Sequence, residues 1–298
     1  MSEDENNCEY VSSRGILKSC HIYSSNPVSS ITTLKDYDFS KFKEGDTIYV
    51  CATALKDFFE NFDKIRGRFT LITGDCDIDV PSDLFPNNED LCKILNPPMI
   101  VHWYTQNCSI NHPKITPIPI GLDYHTMVNP THWGESSSPK KQEKILISIK
   151  ESLPPFEQRQ MRCYANFHFS MTTRFAEERH KAINEIDKDL VYYEPHFSHR
   201  EQSWRNQGQY MFILSPFGNG RDCHRTWEAL CLGCIPIVKR SNIDRIFENL
   251  PVWIVDEWEE VNRENMEKKA AEYLKGTYDY NRLTLKYWIN KIKKSHLL

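Results

Sequence analysis

The residues best placed to do chemistry lie in one segment, 213–238, reading ILSPFGNGRDCHRTWEALCLGCIPIV. An apolar run ends in a glycine loop, an amphipathic stretch follows, Gly233 stops it, and a second apolar run begins. Gly218 and Gly220 permit backbone angles and close approaches that a side chain resists. Asp222 stands where a helix N-cap belongs. The unpaired N–H groups and partial positive charge of a helix start suit a diphosphate. Arg225, in the first turn, adds a full charge, and Glu228, three residues on, shares its face. A carboxylate there can accept two hydrogen bonds from a ribose diol. The competing reading of Arg225 and Glu228 is a surface i,i+3 ion pair worth a few tenths of a kcal/mol.

These residues need a scaffold, and the pattern around them predicts one. DTIYVCAT, RFTLITGD and MIVHWYT read as strands, ALKDFFENFDKI and NEDLCKIL as helices, and KITPIPIGLD as extended. Residues 1–40 read as an irregular, polar leading segment with one short strand. Residues 130–143 carry Pro, Gly, Ser and charge without an apolar period and read as a linker. The alternation then restarts. KILISIK, DLVYYEP, QYMFILSPFG, CIPIVKR and VWIVDEW read as strands. RFAEERHKAINEIDK, SHREQSWRNQGQ, DCHRTWEALCLG, NIDRIFENL, EEVNRENMEKKAAEYLKG and NRLTLKYWINKIKK read as helices. Repeated βα units imply parallel sheets. The expected fold is α/β, with two Rossmann-like domains, 1–135 and 136–298, facing across a cleft, and a last helix that can cross back. Ligands of such sheets bind beyond the carboxyl ends of the strands.

The segment SPFGNGRDCHRTWEALCLGCIPIV resembles the signature of exostosin-like glycosyltransferases. Ser215, Pro216, Gly218, Gly220, Asp222, Arg225, Glu228, Ala229, Leu230, Gly233, Cys234, Ile235 and Pro236 stand in its pattern. The first half is similar more loosely, through FTLITGDCDIDVP and ITPIPIGLDYHT. The resemblance implies a GT-B fold and a glycosyltransferase that moves a hexosyl or pentosyl group from a UDP-sugar to a hydroxyl acceptor with inversion. The donor would lie on the C-terminal domain and the glycan or glycoconjugate acceptor on the N-terminal one. Glu228 would hold the ribose, and Arg225 with the backbone from Gly218 through Asn219 to Gly220 would neutralise the diphosphate. No metal or other cofactor is required on this reading. Ser148 in LISIKES and Arg174 or Arg179 in TTRFAEER are further donor-side candidates, against plain readings as a strand-end hydroxyl and a solvated helix face.

An inverting transfer needs a general base for the acceptor hydroxyl. GDCDIDV offers Asp75, Asp77 and Asp79 after a strand end, with Asp77 preferred. Asp75-Cys-Asp77 also spells D-x-D, a metal-binding pattern of the other major glycosyltransferase fold, but two spaced carboxylates are few ligands for a hard cation. Asp123 and His125 in GLDYH are rivals, His125 on account of its intrinsic pKa. Trp103, Tyr104 and Trp133 could form a sugar-stacking platform or pack as core.

Composition bounds the rest. The chain has 298 residues, 40% of them hydrophobic and 12% aromatic, which excludes a disordered protein. Lys and Arg total 37 against 41 Asp and Glu, a balance that argues against a nucleic-acid binder. There is no apolar run long enough for a membrane span and no signal-like N-terminus, so a cytoplasmic, microbial or viral setting is expected. Ten cysteines, with one close pair at Cys231 and Cys234, predict free thiols. The alternatives are an inactive nucleotide-sugar-binding relative and a two-domain small-ligand-binding protein.

Overall fold

The computed structural model describes residues 3–62, 65–95, 98–167 and 172–294. Two parallel sheets carry the chain. The first runs β1 (Thr47–Cys51), β2 (Phe69–Gly74), β3 (Ile100–Thr105) and β4 (Ile115–Pro117), in that spatial order. The second holds β5 (Gln160–Ala165), β6 (Val191–Tyr193), β7 (Tyr210–Leu214), β8 (Ile235–Lys239) and β9 (Trp253–Val255), in the order β6-β5-β7-β8-β9. β1, β2 and β7 are buried along their whole length, which is why they read as largely apolar, β-branched runs without polar alternation.

The helices are α1 (Ser13–Lys18), α2 (Leu55–Glu60), α3 (Asn88–Leu95), α4 (Pro139–Ser152), α5 (Ala176–Glu185), α6 (Arg200–Gln207), α7 (His224–Cys231), α8 (Arg263–Lys275) and α9 (Leu285–Lys294). One expected helix, 54–65, is shorter than its pattern; Asp63 and Lys64 fall outside the described residues. NIDRIFENL makes only a 3₁₀ turn, Asp244–Phe247.

Two further expectations fail. The leading segment contains α1, started by Ser12, whose side chain accepts from the Gly15 amide at 3.0 Å. KILISIK is not a strand but the middle of α4. Ser138 caps that helix, Pro139 occupies its first turn, and Gln142, Leu146 and Ile149 line the buried face at helical spacing. The run ILISI is ambiguous by itself; capping and burial decide it. The strand that opens the second sheet is β5, QMRCYA, whose polar first half hides it from a hydrophobicity reading.

One core extends from the first sheet to Tyr164 and Ile213 of the second sheet and to Trp227 and Leu230 of α7; a second covers the other side of β5, β7 and β8. α9 packs against the first half: Trp288 is fully buried and Tyr104 Oη donates to the Lys291 carbonyl at 3.1 Å. Glu143, buried on α4, accepts from the amides of Glu9 and Tyr10 at 2.7 and 2.9 Å.

Polar contacts join the two sheets beside the glycine loop. Asn107, after β3, accepts through Oδ1 from the amides of Arg221 and Asp222, both at 3.0 Å. Arg221 clamps Asp79 with two hydrogen bonds of 2.9 Å. Asp222 accepts from the Ile120 amide at 2.7 Å and from Trp227 Nε1 at 2.9 Å. Burial nonetheless pushes the Asp222 carboxyl up to about 6, from 3.8. Between those two values the native state keeps a proton that the unfolded chain has released. The contribution of Asp222 to stability therefore falls as pH rises from about 4 to about 6, by up to about 3 kcal/mol, and is flat on either side. Urea unfolding of wild type and Asp222→Asn across this range tests the sign: the difference between the two should drift against wild type with rising pH.

Candidate active site

The strand order of the second sheet reverses between β5 and β7, so the loops after these strands part and leave a crevice at their carboxyl ends. A cavity of about 650 Å³ opens there. The second half supplies Asn166 and Phe167 after β5, Arg179 from α5, Asn219 from the glycine loop, His224, Arg225 and Glu228 from α7, and Arg200, Ser203 and Trp204 from α6. The first half supplies Asp77, Asp123 and Thr126, with Trp133 on the connecting segment.

The strongest electrostatic feature is a pair of guanidiniums. Arg179 and Arg225 both lie over the Phe167 ring, at 6.0 and 5.3 Å from its centroid. Arg179 Nε donates to the Phe217 carbonyl at 2.9 Å, and Arg225 Nη2 to the Pro216 carbonyl at 3.2 Å. Arg179 is held below its ordinary pKa, first by burial and then by the charge of Arg225. Arg225 Nε is buried without a hydrogen-bond partner, and among the described residues Arg225 forms no ion pair. The surface ion pair with Glu228 is thus not made; both side chains line the cavity. Two adjacent cations fixed by carbonyls and an aromatic ring concentrate positive charge on this wall, which suits a polyvalent anion.

The glycine loop works differently from its sequence reading. The Gly218 amide donates to the Gly220 carbonyl at 2.9 Å, and the amides of Arg221 and Asp222 are taken by Asn107. A Cβ on Gly220 would come within 2.8 Å of Asn107 Nδ2. Gly220 is small so that the first half can dock there. Gly218, Gly220, Ser215, Pro216 and Asp222 are buried, and Ser215 Oγ is paired with Thr226 Oγ1 at 2.9 Å. These residues shape the wall from behind, and Asn219 is the loop residue that lines the cavity. The expected cap at Asp222 is also absent: the N-cap is Cys223, and the Asp222 carboxylate is spent on Ile120 and Trp227.

Other expected donor residues separate. Ser148, expected on the donor side, lies exposed in the middle of α4 and does not line the cavity, because the strand expected there is a helix. Arg174 is exposed and pairs with Asp79 at 3.0 Å and Asp83 at 2.7 Å, away from the cavity lining. Among the acid–base candidates, Asp77 is exposed and reaches the cavity. Asp75 does not: it is buried against Arg14 at 3.0 Å and accepts from Ser29 Oγ at 3.0 Å. Burial pushes its carboxyl up against the pull of Arg14. Asp75 and Asp77 therefore do not act as one D-x-D pair. His125 lines a neighbouring cavity with Arg14, Ser29 and Val128. Its ring stands 3.2 Å from Asp123, and burial lowers its pKa. Asp123 is held far below the usual carboxylate range: burial opposes ionisation, but His224, His125 and Arg200 outweigh it.

Trp103 is fully buried, with Nε1 donating to Thr73 Oγ1 at 2.9 Å, and Tyr104 is buried beneath α9; both are core. Trp133 is half-buried beside His132 and the exposed Phe197, at 4.7 and 5.5 Å between centroids. Sequence reasoning missed His224 as a site residue, although it sits inside the signature. It also missed Asn166 and Phe167, because β5 went unread. All ten cysteines are free thiols. Among the described residues the one trio of metal-ligating side chains within reach of each other is Glu185, Glu257 and Glu259, not part of the cavity. No helix is long and apolar enough to cross a membrane among the described residues.

No family model matches this chain, so the exostosin-like likeness remains a resemblance of the segment from Ser215 to Pro236 and its surroundings. No curated protein matches it either. Among solved structures it is similar to an α1,3-fucosyltransferase, at 11% identity over 88% of this chain and 80% of that one, with a TM-score of 0.42. An α1,3-fucosyltransferase with GDP-fucose matches at 12% identity over 95% of both chains, with a TM-score of 0.40. A GtfA/B complex matches at 11% over 87% of this chain and 59% of that one, with a TM-score of 0.41.

The docking role of Gly220 is testable by substitution. Gly220→Ala should lose about 1–3 kcal/mol in urea unfolding, since Asn107 is held by three hydrogen bonds and cannot move aside freely. Gly218→Ala, whose Cβ would meet Cys223 Sγ at 3.2 Å, should lose less. Equal losses would contradict this assignment.

Proposed function

We propose that this protein is a glycosyltransferase of GT-B type, using a nucleoside-diphosphate sugar. The observation that carries the reading is the Arg179–Arg225 pair with Glu228 on one wall of a cavity at the strand-order reversal. The two guanidiniums bind the diphosphate and stabilise its charge as it leaves. Glu228, one turn along α7 from Arg225, accepts from the ribose diol. Because the amides of Arg221 and Asp222 are committed to Asn107 and that of Gly218 to the Gly220 carbonyl, side-chain charge takes over from those backbone groups as the diphosphate ligand. The donor half is the second sheet with its loops. The first half, through Asp77 and Thr126, faces the acceptor hydroxyl. Following the exostosin-like resemblance, the donor is a UDP-sugar and transfer inverts the anomeric centre without a metal. Asp77 is the acceptor-side carboxylate of the three acid–base candidates first named.

Thermal-shift and calorimetric titration with UDP and a panel of UDP-sugars test this, since a ligand that binds only the native state raises the melting temperature. Arg225→Ala should weaken UDP by about 10- to 100-fold, as expected when a charge-assisted contact worth about 1.5–3 kcal/mol is lost. Glu228→Ala should weaken UDP but leave inorganic pyrophosphate binding unchanged. Release of UDP from a UDP-sugar distinguishes an enzyme from a binding-only relative, and full activity in EDTA is expected. Unchanged UDP affinity in both variants would defeat the proposal.

A further inference from the structure

His224 is the first residue of α7 and lines the cavity beside Arg225 and Glu228. Its Nδ1 lies 2.7 Å from the Gly121 carbonyl oxygen, in the loop after β4. A carbonyl can only accept, so Nδ1 carries the proton. In the neutral ring the lone pair is then on Nε2. The carbonyl that sets this tautomer is itself fixed. Gly121 has φ +65° and lies so close to the backbone of Val11 that any Cβ would overlap it. The Ser12–Gly121 bridge and the Leu122 amide bond to Val11 hold the same loop. The ring is thus carried by helix α7 and tied through Nδ1 to this strapped loop.

The other acid–base groups are less suited. Asp75 is locked by Arg14, and His125 belongs to the neighbouring cavity. Asp123 is engaged by Arg200 at 2.9 Å. Asp77 has no hydrogen-bond partner among the described residues to orient it, and it is exposed. His224 alone among them combines a fixed tautomer with a place on the cavity wall that carries Arg225.

We propose that His224 Nε2 is the general base of the transfer. It takes the proton of the acceptor hydroxyl as that oxygen bonds to the anomeric carbon. The bond from that carbon to the diphosphate oxygen breaks, and its electron pair leaves with the nucleoside diphosphate, received by Arg179 and Arg225. The imidazolium then returns its proton to water. This assignment rests on the nucleotide-sugar reading, and it leaves Asp77 with acceptor binding.

The test uses His224→Asn in the full chain. The asparagine amide can still donate to the Gly121 carbonyl, so the helix start is kept while the base is lost. UDP affinity should stay near the wild-type value, and UDP release from UDP-sugars, with water as acceptor, should fall by about 10²–10⁴, the span of general acid–base catalysis. Added imidazole should restore part of the rate. Nitrogen-15 spectra of the wild type should show His224 protonated at Nδ1. Near-wild-type turnover by His224→Asn, or an Nε2-protonated ring, overturns the proposal. Loss of turnover in Asp77→Asn with none in His224→Asn moves the base to Asp77. A wild type that binds no UDP overturns the underlying reading, and one that binds UDP without releasing it from any UDP-sugar removes the reaction and His224's role together.

Discussion

Two positively charged side chains placed side by side set the terms for this molecule. Arg179 and Arg225 repel one another, and burial withholds the water that would screen them. They stay together because the Pro216 and Phe217 carbonyls accept from them and the face of Phe167 lies beneath both. That arrangement holds only if α5, the end of β5 and the loop after β7 meet at fixed separation. The strand order of the second sheet produces that meeting: β5 and β7 are neighbours whose following segments go to opposite sides. The cationic wall and the crevice it faces have the same topological origin.

The glycine loop is positioned from across the molecule. Asn107, Asp79 and the Ile120 amide, all from the first half, reach the segment from Gly220 to Asp222. His224 makes a further contact at Gly121, and Arg200 another at Asp123. The wall that carries Arg225 and Glu228 is thus braced by the half that faces it. A bidentate Arg221–Asp79 pair, with Asp79 almost wholly buried, loses more when one partner is removed than the pair contributes net, so these contacts act chiefly to specify one docking geometry.

The segment from Ser215 to Pro236 was legible because its order of strand, loop, helix and strand is local, and its glycines and charges punctuate it. Arg225, Glu228, Asn219, Arg179 and Asp77 do meet in one cavity. Ser148 was misplaced because ILISI fits a short strand as well as a helix, and only the Ser138 cap and the buried face of α4 separate the two. β5 was overlooked because Gln160 and Arg162 interrupt its apolar pattern, and with it went Asn166 and Phe167, the floor under the guanidiniums.

By itself the sequence determined the parallel α/β character of both halves, the limits of the signature segment and the charge that segment carries, since each follows from periodicity and turn chemistry over a few residues. Tertiary structure alone decided what those residues touch. It turned Gly220 from an expected ligand contact and Asp222 from an expected helix cap into docking contacts, took Asp75 out of reach by pairing it with Arg14, and brought His224 Nδ1 against the Gly121 carbonyl. Each of those outcomes depends on a partner more than about sixty residues away in the chain, and a contact at that separation leaves no periodicity in the sequence for a local reading to find.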